Sequence, residues 1–214
     1  MNKAFIFDMD GVIVNSEPIW DRYEQIFLPE IMGKETYLKA KDQMLGNSVT
    51  GIYTVASRYG LRISKEEFER IYDSYAEIVY REAKINEGIQ ELINKLISME
   101  FKLGLVSSSR QYWIDMVIAK FNSKNPFQFI LSLDGKNVRP KPFPDGYLRA
   151  IEALDSQPRL TVIVEDSQRG IKAAKASGAI TICLQEFLPK DYLPKGADRY
   201  VKTVKGLINQ IDTI

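Results

Sequence analysis

Short apolar runs alternate with helical patterns along the second part of the chain. The runs have strand length and are rich in Val, Ile and Leu: KLGLVS (102–107), FQFIL (127–131), LTVIVE (160–165) and AITICL (179–184). Between most of them apolar residues recur at helical spacing, as they do from Ile89 to Ile97. Strands that are apolar on both faces and are separated by helices are typical of a mostly parallel sheet covered on both sides. The pattern therefore predicts an α/β fold.

The segment from residue 16 to residue 82 has a different character. It contains no convincing strand, and its apolar residues follow helical spacing, as they do from Phe68 to Val79. The apolar run AFIFD (4–8) precedes this segment, yet it must pair with strands that follow it. We therefore predict an α/β core domain made of residues 1–15 and 83–214, interrupted by an all-helical cap domain of residues 16–82.

The composition argues against several classes of partner and site. The chain has 29 Lys and Arg against 28 Asp and Glu, with no long run of one sign, so we expect neither nucleic acid nor a membrane as its main partner. It has no histidine, which excludes Ser-His-Asp hydrolysis and zinc sites built on histidine pairs. The early charged residues do not fit a signal peptide, and no run approaches the ~18 apolar residues of a membrane span. We therefore expect a cytoplasmic protein.

Polar side chains gather where the predicted strands end. They are Asp8 and Asp10 after the first strand, Ser107, Ser108 and Ser109 after the second, and Glu165 and Asp166 after LTVIVE. In open parallel sheets, ligands bind in the crevice beyond the carboxyl ends of the strands. Four carboxylates in one crevice repel one another and raise each other's pKa values. A hard divalent cation relieves that repulsion, and Mg²⁺ suits a site that keeps waters and accepts a substrate phosphate.

A lysine and a possible nucleophile complete this inventory. Lys141 lies in RPKPFPDG (139–146), whose prolines restrict the loop and exclude helix until about Asp145. Its ammonium and the Ser107 hydroxyl are suitable donors to phosphate, which fits phosphoryl transfer. A carboxylate such as Asp8 can attack phosphorus directly, and a second carboxylate two residues later could act as the acid. Gly11 suggests that the chain bends there, so the spacing permits this assignment without deciding it.

Four segments of the chain resemble, in order, the four motifs of the haloacid dehalogenase (HAD) superfamily. They are FDMDGVIVNSEP (7–18), LGLVSSS (103–109), RPKPFPDGYL (139–148) and VIVEDSQRGIKAAKASGA (162–179). The match is closest to the β-phosphoglucomutase-like branch, which contains small-metabolite phosphatases and sugar phosphomutases. It covers about residues 3–184, while the helical insert fits by size and position only. The resemblance implies a Rossmann-like, doubly wound parallel sheet with an inserted helical cap that closes over the substrate.

The resemblance also implies catalytic and phosphate-binding residues. Asp8 would be the nucleophile and would form an aspartyl-phosphate. Asp10 would be the general acid that protonates the leaving group and then activates water. Ser107, Ser108 and Lys141 would bind the transferring phosphoryl group.

Metal and substrate contacts are implied in the same way. Asp166, with Glu165, Asp8 and the backbone carbonyl of Asp10, would hold Mg²⁺. Three further residues would face the substrate: Asn47 and Ser48 in LGNSVTG (45–51), and Ser109.

Departures from the family pattern bear on the reaction. Where the mutases carry a histidine soon after the first motif, this chain reads SEPIWD (16–21), and Val49 stands where they place an arginine that grips a second phosphate. The helix before LGLVSSS opens with Glu87-Gly88 instead of Pro-Gly. The first two departures favour a Mg²⁺-dependent phosphatase of a small phosphorylated metabolite, such as a sugar phosphate, over a β-phosphoglucomutase-like sugar phosphomutase. We expect a monomer because no feature of the sequence demands a larger assembly.

Simpler interpretations stay open for each motif. Asp-x-Asp-Gly is typical of a turn after a strand, the three serines could cap a helix that starts near Arg110, and Glu165 and Asp166 could favour the dipole of the next helix. Lys141 alone could be a solvated surface lysine. A phospho-acceptor signalling domain uses a similar set of residues, but such a domain has no inserted helical cap, and the insert here argues against it.

Overall fold

The chain divides into two compact units. A computed structural model describes residues 1–44, 48–121, 125–135 and 137–213. One unit comprises Met1–Asn15 with Lys84–Ile214, and we call it the sheet unit. The other comprises Ser16–Ala83, and we call it the helical unit. Their assignment as a catalytic core and a cap remains a prediction.

A single parallel sheet organises the sheet unit. Within the described ranges it has six strands in the order β3-β2-β1-β4-β5-β6. The strands are β1 (Ala4–Phe7), β2 (Lys102–Ser107), β3 (Phe129–Ser132), β4 (Thr161–Glu165), β5 (Ile180–Leu184) and β6 (Arg199–Val201). The predicted α/β fold with a doubly wound parallel sheet is therefore confirmed, since this strand order is the one typical of Rossmann-like folds. β6 was not predicted.

The first strand occupies the middle of the sheet. β1 pairs with β2 through Ala4 and Lys102, and with β4 through Ala4 and Thr161, both in parallel. All four residues of β1 are fully buried. Burial on both faces explains why this strand is a continuous apolar run without alternation.

The α-helices of the described residues fall into two groups, one in each unit. In the helical unit they are α1 (Glu17–Met32), α2 (Lys34–Met44), α3 (Val49–Arg58) and α4 (Lys65–Glu82). In the sheet unit they are α5 (Ile89–Ser98), α6 (Gln111–Ile118), α7 (Asp145–Ala153), α8 (Gln168–Ala176) and α9 (Val204–Gln210). No helix in the described part of the chain has the length and apolar content needed to cross a membrane.

Aromatic rings form much of the interior of the helical unit. The Phe27 ring stacks on Tyr75, with centroids 4.5 Å apart, and meets Tyr72 edge-on at 5.0 Å. Within α4, Phe68 also packs against Tyr72, with centroids 5.0 Å apart. The contacts of Phe27 join α1 to α4, so the aromatic residues that the sequence concentrates in this segment serve to pack its helices.

Candidate active site

The predicted site residues come together at the carboxyl ends of the central strands. Asp8 directly follows β1, Ser107 ends β2 and Glu165 ends β4. The strand order reverses between β1 and β4, which is where open α/β sheets form their ligand crevice. Asp8, Ser107, Glu165 and Lys141 are all buried, with relative exposures of 7%, 1%, 0% and 5%. The fold therefore concentrates charged groups where little water reaches them.

Lys141 lies between two carboxylates. Its Nζ is 2.5 Å from Asp8 Oδ1, 2.5 Å from Glu165 Oε1 and 3.3 Å from the carbonyl oxygen of Val106. An ammonium has three hydrogens, and these three acceptors can take all of them. Burial lowers the pKa of Lys141, but the Asp8 and Glu165 carboxylates outweigh burial and raise it well above its usual value. Lys141 is therefore a fixed positive charge and not a solvated surface lysine.

Donors surround both oxygens of Glu165. Oε1 accepts from Lys141 and from the Tyr147 hydroxyl at 2.7 Å. Oε2 accepts from the backbone N–H groups of Asp166 at 3.1 Å and Ser167 at 3.2 Å, and from the Ser167 hydroxyl at 3.0 Å. Burial raises the pKa of Glu165, but Lys141 and the hydrogen bonds lower it, with a net result below the usual value. Glu165 is thus an ionised anchor for Lys141.

A glycine on α8 makes room for this carboxylate. A Cβ atom at Gly170 would lie 1.8 Å from Glu165 Oε1, so any side chain there would displace the carboxylate. Ser167, the N-cap of α8, accepts a hydrogen bond from the Gly170 N–H at 3.0 Å. The start of α8 is therefore built around Glu165.

Asp8 carries charge that Lys141 only partly balances. Burial raises the pKa of the Asp8 carboxyl to about 8, and Lys141 acts in the opposite direction. Glu165 and Asp10 add further negative charge. One ammonium therefore faces several carboxylates, and a second positive charge beside Asp8 would favour its ionised form.

Three acids form a cluster that fits a divalent metal. Asp8, Glu165 and Asp166 each offer a carboxylate oxygen, and these oxygens lie within 4.8 Å of one another. Gly11 has φ of 83°, and a Cβ there would lie 1.8 Å from Asp166 Oδ2, so the loop after β1 passes directly against this carboxylate. Oxygen ligands of this kind suit a hard divalent cation. The five donors around Glu165 compete with its use as a ligand.

Asp10 and the serines after β2 form a second polar group. The Ser109 hydroxyl donates to Asp10 Oδ2 at 2.6 Å, and the Ser109 N–H donates to Ser107 Oγ at 3.0 Å. Ser108, between them, is exposed. Ser109, which the sequence suggested as a substrate contact, therefore orients the carboxylate of Asp10. The predicted role of the Asp10 backbone carbonyl as a metal ligand stays a prediction.

Of the two residues of the helical unit that were predicted to face the substrate, the structure describes only Ser48. Asn47 lies outside the described residues. Ser48 is the N-cap of α3, where its hydroxyl accepts from the Gly51 N–H at 3.3 Å.

Within the helical unit a cleft of about 430 Å³ lies between α1 and α2. Glu24 lines the cleft and accepts a 2.9 Å hydrogen bond from the Tyr72 hydroxyl, and burial raises its pKa to about 7.

Two residues of the charged network were not expected from the sequence. Tyr147 is one of the buried positions of α7, and a buried tyrosine usually needs a partner for its hydroxyl. Arg169 donates from Nε at 3.1 Å and from Nη2 at 2.7 Å to the backbone carbonyl of Lys141. Tyr147 therefore donates to the same Glu165 oxygen as Lys141, and the side chain of Arg169 holds the main chain of Lys141.

Comparison with known proteins identifies relatives over most of the chain. A family model described as haloacid dehalogenase-like hydrolase matches residues 5–184. A phosphorylated carbohydrates phosphatase from Thermotoga maritima is 29% identical, with 82% of each chain covered. Hexitol phosphatase B from Escherichia coli is 27% identical, over 81% of this chain and 79% of that protein.

Solved structures share the whole fold. CbbY from Rhodobacter sphaeroides, solved in complex with phosphate, aligns with a TM-score of 0.74 at 22% identity, covering 97% of this chain and 96% of that chain. An HAD phosphatase from Thermococcus onnurineus aligns with a TM-score of 0.71 at 22% identity, covering 98% and 97%.

Proposed function

Since the chain belongs to the haloacid dehalogenase-like hydrolase family, we propose that it is a Mg²⁺-dependent phosphatase acting on a small phosphorylated metabolite, such as a sugar phosphate. The observation that carries this proposal is the buried Lys141, bonded to Asp8 beside the cluster of Asp8, Glu165 and Asp166. The names of the relatives, a phosphorylated carbohydrates phosphatase and hexitol phosphatase B, support the substrate class.

Asp8 is the proposed nucleophile. One of its carboxylate oxygens forms a bond to phosphorus while the bond between phosphorus and the leaving oxygen breaks, which gives an aspartyl-phosphate. Lys141 and Ser107 bind the oxygens of the transferring group, because both already lie in the same buried crevice as Asp8.

Asp10 is the proposed acid and base. It gives its proton to the leaving oxygen in the first step and takes a proton from water in the second step, when that water attacks the aspartyl-phosphate and releases inorganic phosphate. The 2.6 Å hydrogen bond from Ser109 holds this carboxylate in one orientation. Asp8 and Asp10 thus divide attack and proton transfer between two carboxylates.

The acidic cluster is the proposed Mg²⁺ site. Asp8 and Asp166, with Glu165 and the Asp10 carbonyl, would hold the ion. A divalent cation held by these residues would supply positive charge beside the nucleophile and the phosphoryl group. This fits the excess of carboxylates over ammonium groups around Asp8.

Substitution of the nucleophile tests the mechanism. Asp8→Asn removes the attacking oxygen, so we expect hydrolysis of p-nitrophenyl phosphate to fall by at least about 10³-fold with the fold intact. Asp115→Asn is a matched control, because Asp115 is an exposed residue of α6 bonded to Gln111, and it should leave activity unchanged. Full activity in the Asp8→Asn variant would contradict the proposed mechanism.

Metal removal tests the cofactor. We expect EDTA to abolish phosphate release and Mg²⁺ to restore it, whereas Ca²⁺, which takes more ligands at longer distances, should restore it poorly. Phosphate release would be measured after dialysis and metal addition. Unchanged activity of the EDTA-treated protein would exclude a metal-dependent reaction.

The phosphomutase alternative predicts a different product from the same aspartyl-phosphate. A mutase returns the phosphoryl group to the sugar, whereas a phosphatase gives it to water. A panel of phosphorylated metabolites, assayed for both free phosphate and isomerised sugar phosphate, separates the two. Isomerisation without phosphate release would replace the proposed function by the mutase.

A further inference from the structure

Lys141 needs a fixed position to act on a phosphoryl group. A lysine side chain carries about 2 kcal/mol of rotamer entropy, so an ammonium that is free to move loses much of its effect. In this chain all three ammonium hydrogens have acceptors, on Asp8, Glu165 and Val106. Residues that bind these acceptors therefore affect where the Lys141 ammonium lies.

Tyr147 shares an acceptor with Lys141. Its hydroxyl lies 2.7 Å from Glu165 Oε1, the oxygen that Lys141 also contacts at 2.5 Å. The Lys141 ammonium also lies 5.3 Å from the centroid of the Tyr147 ring. Tyr147 is fully buried on α7, so water cannot readily replace its hydroxyl. Glu165 Oε1 and Asp8 thus compete for the Lys141 ammonium, and the Tyr147 hydroxyl is a second donor to Glu165 Oε1.

Removal of this second donor would shift the ammonium. A carboxylate oxygen that loses one donor becomes a stronger acceptor for the donor that remains, particularly in a buried site. Without the Tyr147 hydroxyl, Glu165 would therefore draw Lys141 closer and away from Asp8. The phosphoryl group that Asp8 attacks would lose part of its positive contact.

Arg169 fixes the other end of the same residue. Its Nε and Nη2 donate to the backbone carbonyl of Lys141 at 3.1 Å and 2.7 Å. A planar guanidinium that binds one carbonyl through two hydrogens restricts the loop more than a single flexible donor could. Lys141 is thus held at its main chain by α8 and at its ammonium through α7 and β4.

We infer that Tyr147 and Arg169 are positioning residues that set how Lys141 is shared between Glu165 and the nucleophile Asp8. This inference rests on the proposed phosphatase function for its kinetic consequence only. The position of the Lys141 ammonium can be measured without metal or substrate.

Tyr147→Phe, compared with Tyr72→Phe, provides the kinetic test. Tyr72 is an equally buried tyrosine whose hydroxyl also donates to a carboxylate, that of Glu24 at 2.9 Å. For Tyr147→Phe we expect kcat with p-nitrophenyl phosphate to fall roughly 10- to 100-fold, and inhibition by inorganic phosphate to weaken by a similar factor, as for other residues that orient a reacting group. Tyr72→Phe should lower Tm by a similar amount but change neither kcat nor phosphate inhibition. If Tyr147→Phe lowers Tm alone, the tyrosine is structural and the inference is wrong.

The position of the ammonium is read directly by NMR. In metal-free protein labelled with ¹⁵N-lysine, we expect the Lys141 Nζ–H signal to shift in Tyr147→Phe and to stay in place in Tyr72→Phe. An unshifted signal in Tyr147→Phe overturns the inference. This readout holds even if the wild-type chain hydrolyses no phosphate ester, so failure of the proposed function and failure of this inference remain distinct.

Arg169 provides a second variant that does not disturb the interior, because it is exposed. Arg169→Gln, which cannot reproduce the two hydrogen bonds to the carbonyl, should lower kcat by several-fold and weaken phosphate inhibition, and Arg169→Lys, which retains one donor, should recover part of both. Equal kinetics in all three proteins would remove Arg169 from the proposal.

Discussion

Each unit of the molecule contains a buried tyrosine whose hydroxyl is bonded to a carboxylate. In the sheet unit Tyr147 donates to Glu165 at 2.7 Å, and in the helical unit Tyr72 donates to Glu24 at 2.9 Å. Burial raises the pKa of both carboxyls, yet the final pKa of Glu165 is below its usual value and that of Glu24 is raised to about 7. The same pair of side chains therefore reaches opposite electrostatic outcomes.

The difference comes from the neighbouring charges. Glu165 lies 2.5 Å from the Lys141 ammonium, whereas the charged side chains that act on Glu24 are the carboxylates of Glu17 and Asp21, which raise its pKa further. The Tyr72 hydroxyl alone does not keep the buried Glu24 carboxyl ionised, whereas the Lys141 ammonium together with the hydrogen bonds to Glu165 lowers the pKa of that carboxyl. The sheet unit has thus the fixed charges that a reaction needs, while the helical unit holds a carboxyl that can be neutral near pH 7.

Among the substitutions that test this difference between the two carboxyls, removal of the Lys141 ammonium should change stability most. Lys141→Met leaves Asp8 and Glu165 buried without their counter-charge, so we expect the free energy of unfolding to fall by about 3–5 kcal/mol. Urea unfolding in EDTA measures this change. A second substitution, Glu165→Gln in the Lys141→Met background, should recover part of the stability and none of the activity. An unchanged urea midpoint in Lys141→Met would mean that the ammonium does not compensate these carboxylates.

Neutralisation of the Glu24 carboxyl should change the free energy of unfolding by a smaller amount, and it should raise this free energy instead of lowering it. Glu24 titrates at about 7 in the folded chain and near its ordinary value of 4.5 when unfolded. Ionisation of Glu24 is therefore less favourable in the folded chain than in the unfolded chain. The carboxyl does not lower the free energy of unfolding below pH 4.5, and it lowers that free energy progressively as pH rises to about 7. Glu24→Gln removes this loss, so at pH 8 the variant should be more stable than wild type by about 1–2 kcal/mol, after allowance for the partial exposure of this side chain.

Thermal unfolding at pH 4.5 and at pH 8 checks this sign. We expect the Tm difference between Glu24→Gln and wild type to grow in favour of the variant from the lower to the higher pH. The side-chain carbonyl of glutamine can still accept a hydrogen bond from the Tyr72 hydroxyl, so this bond is present in both the variant and the wild type. A difference that does not depend on pH would show that Glu24 is ionised in the folded chain as it is in water.

Much of the fold could be predicted because buried parallel strands leave a clear pattern. The run KLGLVS coincides with β2 (Lys102–Ser107), and LTVIVE differs from β4 by one residue. β6 (Arg199–Val201) could not be found in this way. It is a three-residue strand at the edge of the sheet with only one buried residue, Val201, so it has no period to detect.

The residues at the strand ends could also be predicted, but their partners could not. The acids after β1 and β4 stand out because charge directly follows an apolar run. Tyr147 fits the apolar pattern of α7, and its partner is fixed only when α7 packs against the sheet. Arg169 binds a main-chain carbonyl, and a carbonyl has no signature in the sequence. The pKa values of Glu24 and Glu165 differ through burial and neighbours that only the folded chain provides.

The central position of β1 also constrains how the protein is made on the ribosome. β1 is synthesised before both of its partner strands, so it must wait for Lys102 and then for Thr161 before both its edges are paired. At a translation rate of about 5–20 residues per second, the second partner is synthesised about 8–30 s after the first strand. The helical unit is built from contacts local in sequence and can fold in that interval. A nascent chain that stops before β4 therefore exposes an apolar strand edge at the middle of its future sheet, where chaperones or aggregation compete for it.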